Sequence, residues 1–263
     1  MEKLLRGFSL VELSIVLVIL GLLVGGVLSG QSLIRASELR AVVTEFDSYR
    51  TALHAFRDRY FALPGDMATA TKFWGVSSAC SGSAANGTCD GDGNGLFDAS
   101  TNAGQSGELF QLWNQLALAG LITGSFTGIA GPNTLWQPGW DSIPGTNVPR
   151  SRLSNAGWSI FYQATGGDTA TYTYAYGNEL IFGAAISGTI TEGSALKPEE
   201  AWNIDTKVDD GKPGTGIIIA RDNGGFGNAN SCTTSSSTTD YAGGYNLGLS
   251  NLACSFKFIN MFN

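Results

Sequence analysis

From Leu10 to Leu28 the chain is apolar almost without interruption, and the one charge in that stretch is Glu12. A helix of roughly 19 residues matches a bilayer hydrocarbon core of about 30 Å. Beyond Leu28 the pattern changes. Leu39, Val42, Val43, Phe46, Tyr49, Leu53, Phe56 and Tyr60 recur mostly at spacings of three and four, while Arg40, Glu45, Asp47, Arg50, Arg57 and Asp58 fall largely off that stripe. This is the period of a helix with one face to bury. Pro64-Gly65 stops it. The spacing therefore predicts one continuous helix from Phe8 to Tyr60, about 80 Å long, with a bare apolar front and a back half that receives a domain. Gly21 and Gly25, and Gly26 and Gly30, have the spacing that lets neighbouring helices approach closely, and they could also bend the helix.

After the stem, Asp66 is placed to cap a short helix running through Phe73 and Trp74 and closed by Gly75. A second helix is expected over 108–119, with Leu109, Leu112, Trp113 and Leu116 on one face. Alternation then marks strands through Trp158, Ile160 and Tyr162, through Tyr172, Tyr174 and Tyr176, and through Leu180, Phe182, Ala184 and Ile186. Residues 197–208 read as a helix opening at Pro198, with Ala201, Ile204 and Val208 inward. Strands over 216–221 and 254–259 follow, separated by a Gly/Ser/Thr/Asn-rich loop at 223–244. The fold class expected is α+β: a long N-terminal helix packed on a C-terminal domain with an antiparallel sheet and short helices. Its segments are a leader at 1–7, a membrane helix at 8–28, the soluble half of the stem at 29–62 and a globular part at 63–263.

Charge sharpens the topology. Lys3 and Arg6 precede the apolar run and no positive residue follows until Arg35, which puts the N-terminus in the cytoplasm and the globular part outside. A net charge of −7 argues against general affinity for nucleic acid. The four cysteines, Cys80, Cys89, Cys232 and Cys254, form no C-x-x-C and, with one histidine in the chain, fit no common Cys/His zinc pattern. In an oxidising compartment they read as disulfides. Three connectivities are possible, and the local pairing Cys80–Cys89 with Cys232–Cys254 is the expectation.

The basic leader MEKLLRG, then G-F-S-L-V-E, then the apolar run, resembles the N-terminal signal of type IV pilins and type II secretion pseudopilins. Gly7 matches the glycine at the cut, Phe8 the first mature residue and Glu12 the acid at the fifth mature position. The stretches YFALPGDMATATKFWG and EEAWNIDTKVDDGKPGTG are also similar to segments of pilin-like proteins. The resemblance implies cleavage after Gly7 by a prepilin peptidase, methylation of the Phe8 amine, and assembly with other pilin or pseudopilin subunits through an inner-membrane platform. It also supplies a reason for Glu12. An acid inside a membrane helix costs about 2–3 kcal/mol on insertion scales. The Phe8 amine of a neighbouring subunit, with an ordinary pKa of about 7.7–8.0, could neutralise it and set the axial register.

The most specific other pattern is CDGDGNGLFD. Asp90, Asp92 and Asn94 alternate as in a calcium loop, Gly95 stands at the turn, Leu96 offers a backbone carbonyl and Asp98 holds the ninth position. Thr101 occupies the twelfth, so Glu108 would have to fold back to complete the set. The competing reading is a solvated acidic turn. Asp205, Asp209 and Asp210 could form a second cation site, but surface acids at a helix end are the better reading. His54 lies on the stem, which leaves no Ser-His-Asp or Cys-His centre, and no nucleotide fingerprint occurs. The expectation is a structural protein rather than an enzyme, without an organic cofactor and with Ca²⁺ as a possible ligand. Two alternatives stay open: a minor or tip subunit with an adhesive role, and an anchored calcium- or glycan-binding protein that never polymerises. Trp136, Trp140 and Trp158 could line a sugar-binding surface, but the core or a subunit contact is the better reading for them.

Overall fold

Ser9 and Glu12 start the first helix by satisfying each other's backbone. The Glu12 amide donates to Ser9 Oγ at 3.2 Å and the Ser9 amide donates to Glu12 Oε2 at 2.8 Å, a reciprocal capping box. In the computed structural model, which describes residues 9–80, 87–98, 107–135, 138–164 and 169–261, this helix, α1, spans Leu10–Tyr60. It is one continuous helix across all four of its glycines. Phe61 adopts the left-handed conformation (φ 53°), and its amide donates to the Arg57 carbonyl. Pro64 and Gly65 then turn the chain.

The two halves of α1 differ as the pattern predicts. Every residue from Leu10 to Ser29 is exposed, and burial begins with Ala41 and Val42. The back half lies against α2 (Thr71–Trp74), α3 (Glu108–Leu118), α4 (Pro198–Val208) and a sheet built from β1 (Ala156–Gln163), β2 (Gly177–Ala184), β3 (Ile218–Asp222) and β4 (Cys254–Phe258). The strand order is β1-β2-β4-β3, antiparallel throughout. The architecture is thus α+β, with a long apolar N-terminal helix and a four-stranded antiparallel sheet.

Register explains the core. Trp158, Phe182, Phe256 and Ala220 lie abreast on the four strands, and Ile160, Leu180, Phe258 and Ile218 form the next row on the same face. Phe46 of α1 stacks on Phe258 at 4.2 Å, and Tyr49 meets both Trp113 and Trp158 edge-on. Each large side chain buried here contributes about 1.5–3 kcal/mol. Glu45, expected off the stripe, is drawn into this contact because it accepts from Trp158 Nε1 at 2.8 Å and from the Arg152 amide at 2.9 Å. Trp158 is therefore a core residue, half-buried Trp140 packs on Phe161, and Trp136 lies outside the described residues.

The opposite face of the sheet carries Ser159, Ile181, Lys257 and Ile219 in one row. Lys257 is paired with Glu179 at 2.7 Å and donates to Gln163. The Tyr172–Tyr176 alternation, expected to be a strand, instead covers this face as irregular chain. Its polar atoms bond to the glycine-rich loop: the Thr173 amide donates to the Thr238 carbonyl, and the Tyr172 and Ser235 hydroxyls share a hydrogen bond. The alternation is there, but the polar groups of the segment bond to that loop and not to a strand ladder. Cys80–Cys89 and Cys232–Cys254 are both bonded, the local pairing that the spacing favoured.

Candidate functional site

Two regions hold the residues singled out by sequence. At the front, Gly7 and Phe8 lie outside the described residues. Glu12 is exposed on the free half of α1 and caps its own helix. The apolar part of α1 is long and apolar enough to cross a bilayer, and among the described residues nothing buries it. Length and composition suit a single-pass anchor and a signal sequence alike. After Glu12 the next charge is Arg35, which forms a paired contact with Glu200 at 2.7 and 2.6 Å. Glu200 also accepts from the Lys197 amide and so closes the first turn of α4. Burial works to raise the Glu200 carboxyl, but Arg35 and the Lys197 amide outweigh it and hold the group below its ordinary value.

The second region lies beyond the far end of the stem. Gly65 follows Pro64 in the left-handed conformation (φ 87°), where an added Cβ would sit 2.5 Å from the Glu108 carbonyl. Its amide donates to Gln115 Oε1 at 2.7 Å. Gln111 and Gln115 also grip the chain where the first disulfide closes, at Thr88 and Cys89. Gln111 accepts from Thr88 and the Cys89 amide, and Gln115 donates to Thr88 and the Cys89 carbonyl. With Glu108 they form a buried polar stripe at i, i+3 and i+7 on α3. The loop 90–98 is held at its other side by Asn178, which accepts from the Phe97 amide and donates to the Gly95 carbonyl.

This packing brings Asp66, Asp92 and Glu108 together, each with a carboxylate oxygen within 4.8 Å of the others. Asp66 and Glu108 are buried, at 4% and 1% exposure, and Asp92 is exposed. Glu108 accepts from the Asp92 amide at 3.2 Å and the Asp98 amide at 3.4 Å. Asp66 Oδ2 accepts from the Gly95 amide, whereas Asp66 Oδ1 is buried and meets no hydrogen-bond donor among the described residues. Burial first, and then the charges of Asp66 and Asp92, push the Glu108 carboxyl up to about 7. Burial also raises Asp66. Two carboxylates at this separation repel by about 3–4 kcal/mol at an effective dielectric of about 20.

The sequence pattern and the geometry share only part of the ligand set. Asp92 and Glu108 meet, as expected for a folded-back Glu108. Asp90 does not join them: its two oxygens accept from the amide and hydroxyl of Thr71 at 2.7 and 2.9 Å. The helix cap expected of Asp66 does not form, because α2 begins at Thr71 with no side-chain cap, and Asp66 joins the acidic cluster instead. Asn94 accepts from the Leu96 amide and donates to Asp92, which orders the loop internally. Asp98 contributes its amide to Glu108. Gln111 and Gln115, which the sequence reading passed over, had one legible signal: with Glu108 they set polar residues at i, i+3 and i+7 on one face of a largely apolar helix.

Asp205, Asp209 and Asp210 also converge, yet each is engaged by donors of its own surroundings. Tyr245 and the Gly211 amide donate to Asp205, the Ile217 and Ile218 amides to Asp209, and Thr215 and the Lys212 amide to Asp210. These bonds build the turn between α4 and β3. His54 lies on the stem beside Arg57, 3.3 Å from its guanidinium. Compared with family models, with curated proteins and with solved structures, the chain finds no match.

Proposed function

We propose that this chain is a membrane-anchored structural subunit of a filament of the type IV pilus or type II secretion class. It is cut after Gly7 and assembled through the apolar half of α1. The single observation that carries this reading is that half-helix: it is wholly exposed, continuous with a packed stem, and interrupted by one acid, Glu12, five residues after the Gly7–Phe8 step. A fully exposed apolar helix must be covered by lipid or by other helices. A subunit that is first stored in a membrane and then stacked in a fibre uses both covers in turn. In this reading the N-terminus is cytoplasmic and the disulfide-bonded domain lies across the membrane.

Glu12 suits both stages. As a single chain it is satisfied by Ser9, which lowers the cost of holding it near the membrane interface. After cleavage the Phe8 amine of an adjacent subunit provides an opposite charge, and only one axial offset brings the two together. The assembly role is tested with Glu12→Ala. The variant is expected in the membrane fraction at normal level but missing from sheared filaments. Incorporation equal to the unaltered protein, or filaments built from chains that keep residues 1–7, would overturn the assignment and leave a plain anchor.

A further inference from the structure

We propose that Asp66, Asp92 and Glu108 form a calcium site that ties the turn after the stem, the 90–98 loop and the start of α3 into one unit. This proposal does not rest on the filament reading. Three carboxylates converge from three separate segments. Two of them are buried, and one oxygen of the deeper pair, Asp66 Oδ1, is left without a donor. An acidic turn needing only water would keep these groups in water. Here the chain instead spends Gly65, Gly91, Gln111 and Gln115 on drawing them inward: an added Cβ at Gly91 would sit 2.4 Å from Asp66 Cα. A divalent cation supplies what the cluster lacks, a partner for Asp66 Oδ1 and two positive charges against three negative.

The donor chemistry selects the ion. All three groups are hard oxygen ligands, with no imidazole or thiolate among them, which disfavours zinc and copper. One ligand rides on an exposed loop and the others on a helix start and a turn, so the spacing can adapt. Calcium accepts such irregular sets of six to eight oxygens, whereas magnesium demands a near-octahedral shell. A cleft of about 520 Å³, lined by Tyr60, Asp66, Gly93 and Asn94 among others, borders the cluster on its Asp66 side.

The test is thermal unfolding of the full chain in detergent, in a chelator, in calcium and in magnesium. With calcium roughly tenfold above its dissociation constant, Tm should rise by about 3–6 °C. Magnesium should raise it less. Asp92→Asn, at an exposed position, and Asp66→Asn should both abolish the calcium response. Asp90→Asn should retain it, because Asp90 serves Thr71. Calorimetric titration with calcium chloride reports binding directly should Asp66→Asn fold poorly, and there Asp92→Asn must lose affinity at least tenfold. No calcium-dependent rise, an equal response to magnesium, or an unchanged response in Asp92→Asn would overturn the proposal.

Discussion

Asp90 and Asp66 have the same side chain and opposite fates, decided by one ångström-scale contact each. Asp90 finds two donors on Thr71 and is spent there. Asp66 Oδ2 takes the Gly95 amide, and among the described residues Asp66 Oδ1 has no donor within hydrogen-bond distance. Gly91 decides which, since only a residue without a Cβ lets the loop lie on the backbone of Asp66. Gly91→Ala is therefore expected to cost about 1–3 kcal/mol through forced displacement of the 90–98 loop, measured by denaturant unfolding. A cost below a few tenths would mean that the loop does not close on Asp66 at all. The alternate acids of CDGDGNGLFD were legible as a ligand pattern. The identity of the third carboxylate was not, because residue 66 and residue 92 are brought together only by the Gln115 bond to Gly65 and the Gly91 contact.

At the scale of the element, α1 is a single helix with two environments, and the boundary between them is chemical. Nothing on the helix backbone changes between Leu28 and Ala41; what changes is that Arg35 appears and can reach Glu200 on α4. Arg35 is only half-buried, which moderates the pair by solvent screening. A double-mutant cycle with Arg35→Ala and Glu200→Ala should give a coupling of about 1 kcal/mol. Glu200→Ala alone should cost more than Arg35→Ala alone, because it also uncaps the Lys197 amide. Equal single costs would show that the cap contributes nothing. The same element logic explains the tyrosines. Tyr172, Tyr174 and Tyr176 carry a strand-like alternation, but the segment packs on Ile219 and Ile259 and bonds to the glycine-rich loop, so it covers the sheet without extending it.

For the whole molecule, buried acids make stability depend on pH in a direction opposite to ordinary acid unfolding. Burial pushes Asp205 up to about 7, with Asp209 and Asp210 adding to it and the bonds from Tyr245 and Gly211 opposing. The native state therefore holds a proton that the unfolded chain has released by about pH 4–5. Its contribution to stability is complete below that range, falls as pH rises towards 7, and is flat above. Glu108 and Asp66 act with the same sign when calcium is chelated. In chelator, Tm is thus expected to be higher near about pH 5 than near about pH 7.5, and Asp205→Asn should shrink that difference. A rise in Tm over this interval, or an undiminished fall in the variant, would show that Asp205 is charged in the native state.

The long helix, its apolar front, the local disulfide pairs, α3, α4 and the strand-bearing segments could all be read along the chain. Each depends on period, composition or short separation, which are properties of neighbours in sequence. Folding alone decided that Glu45 is a core partner of Trp158, that the tyrosine segment is a cover rather than a strand, and that Asp66 replaces Asp90 beside Asp92 and Glu108. Those outcomes depend on which donor or vacant edge lies within about 3 Å, and that distance is set by residues far apart in the chain.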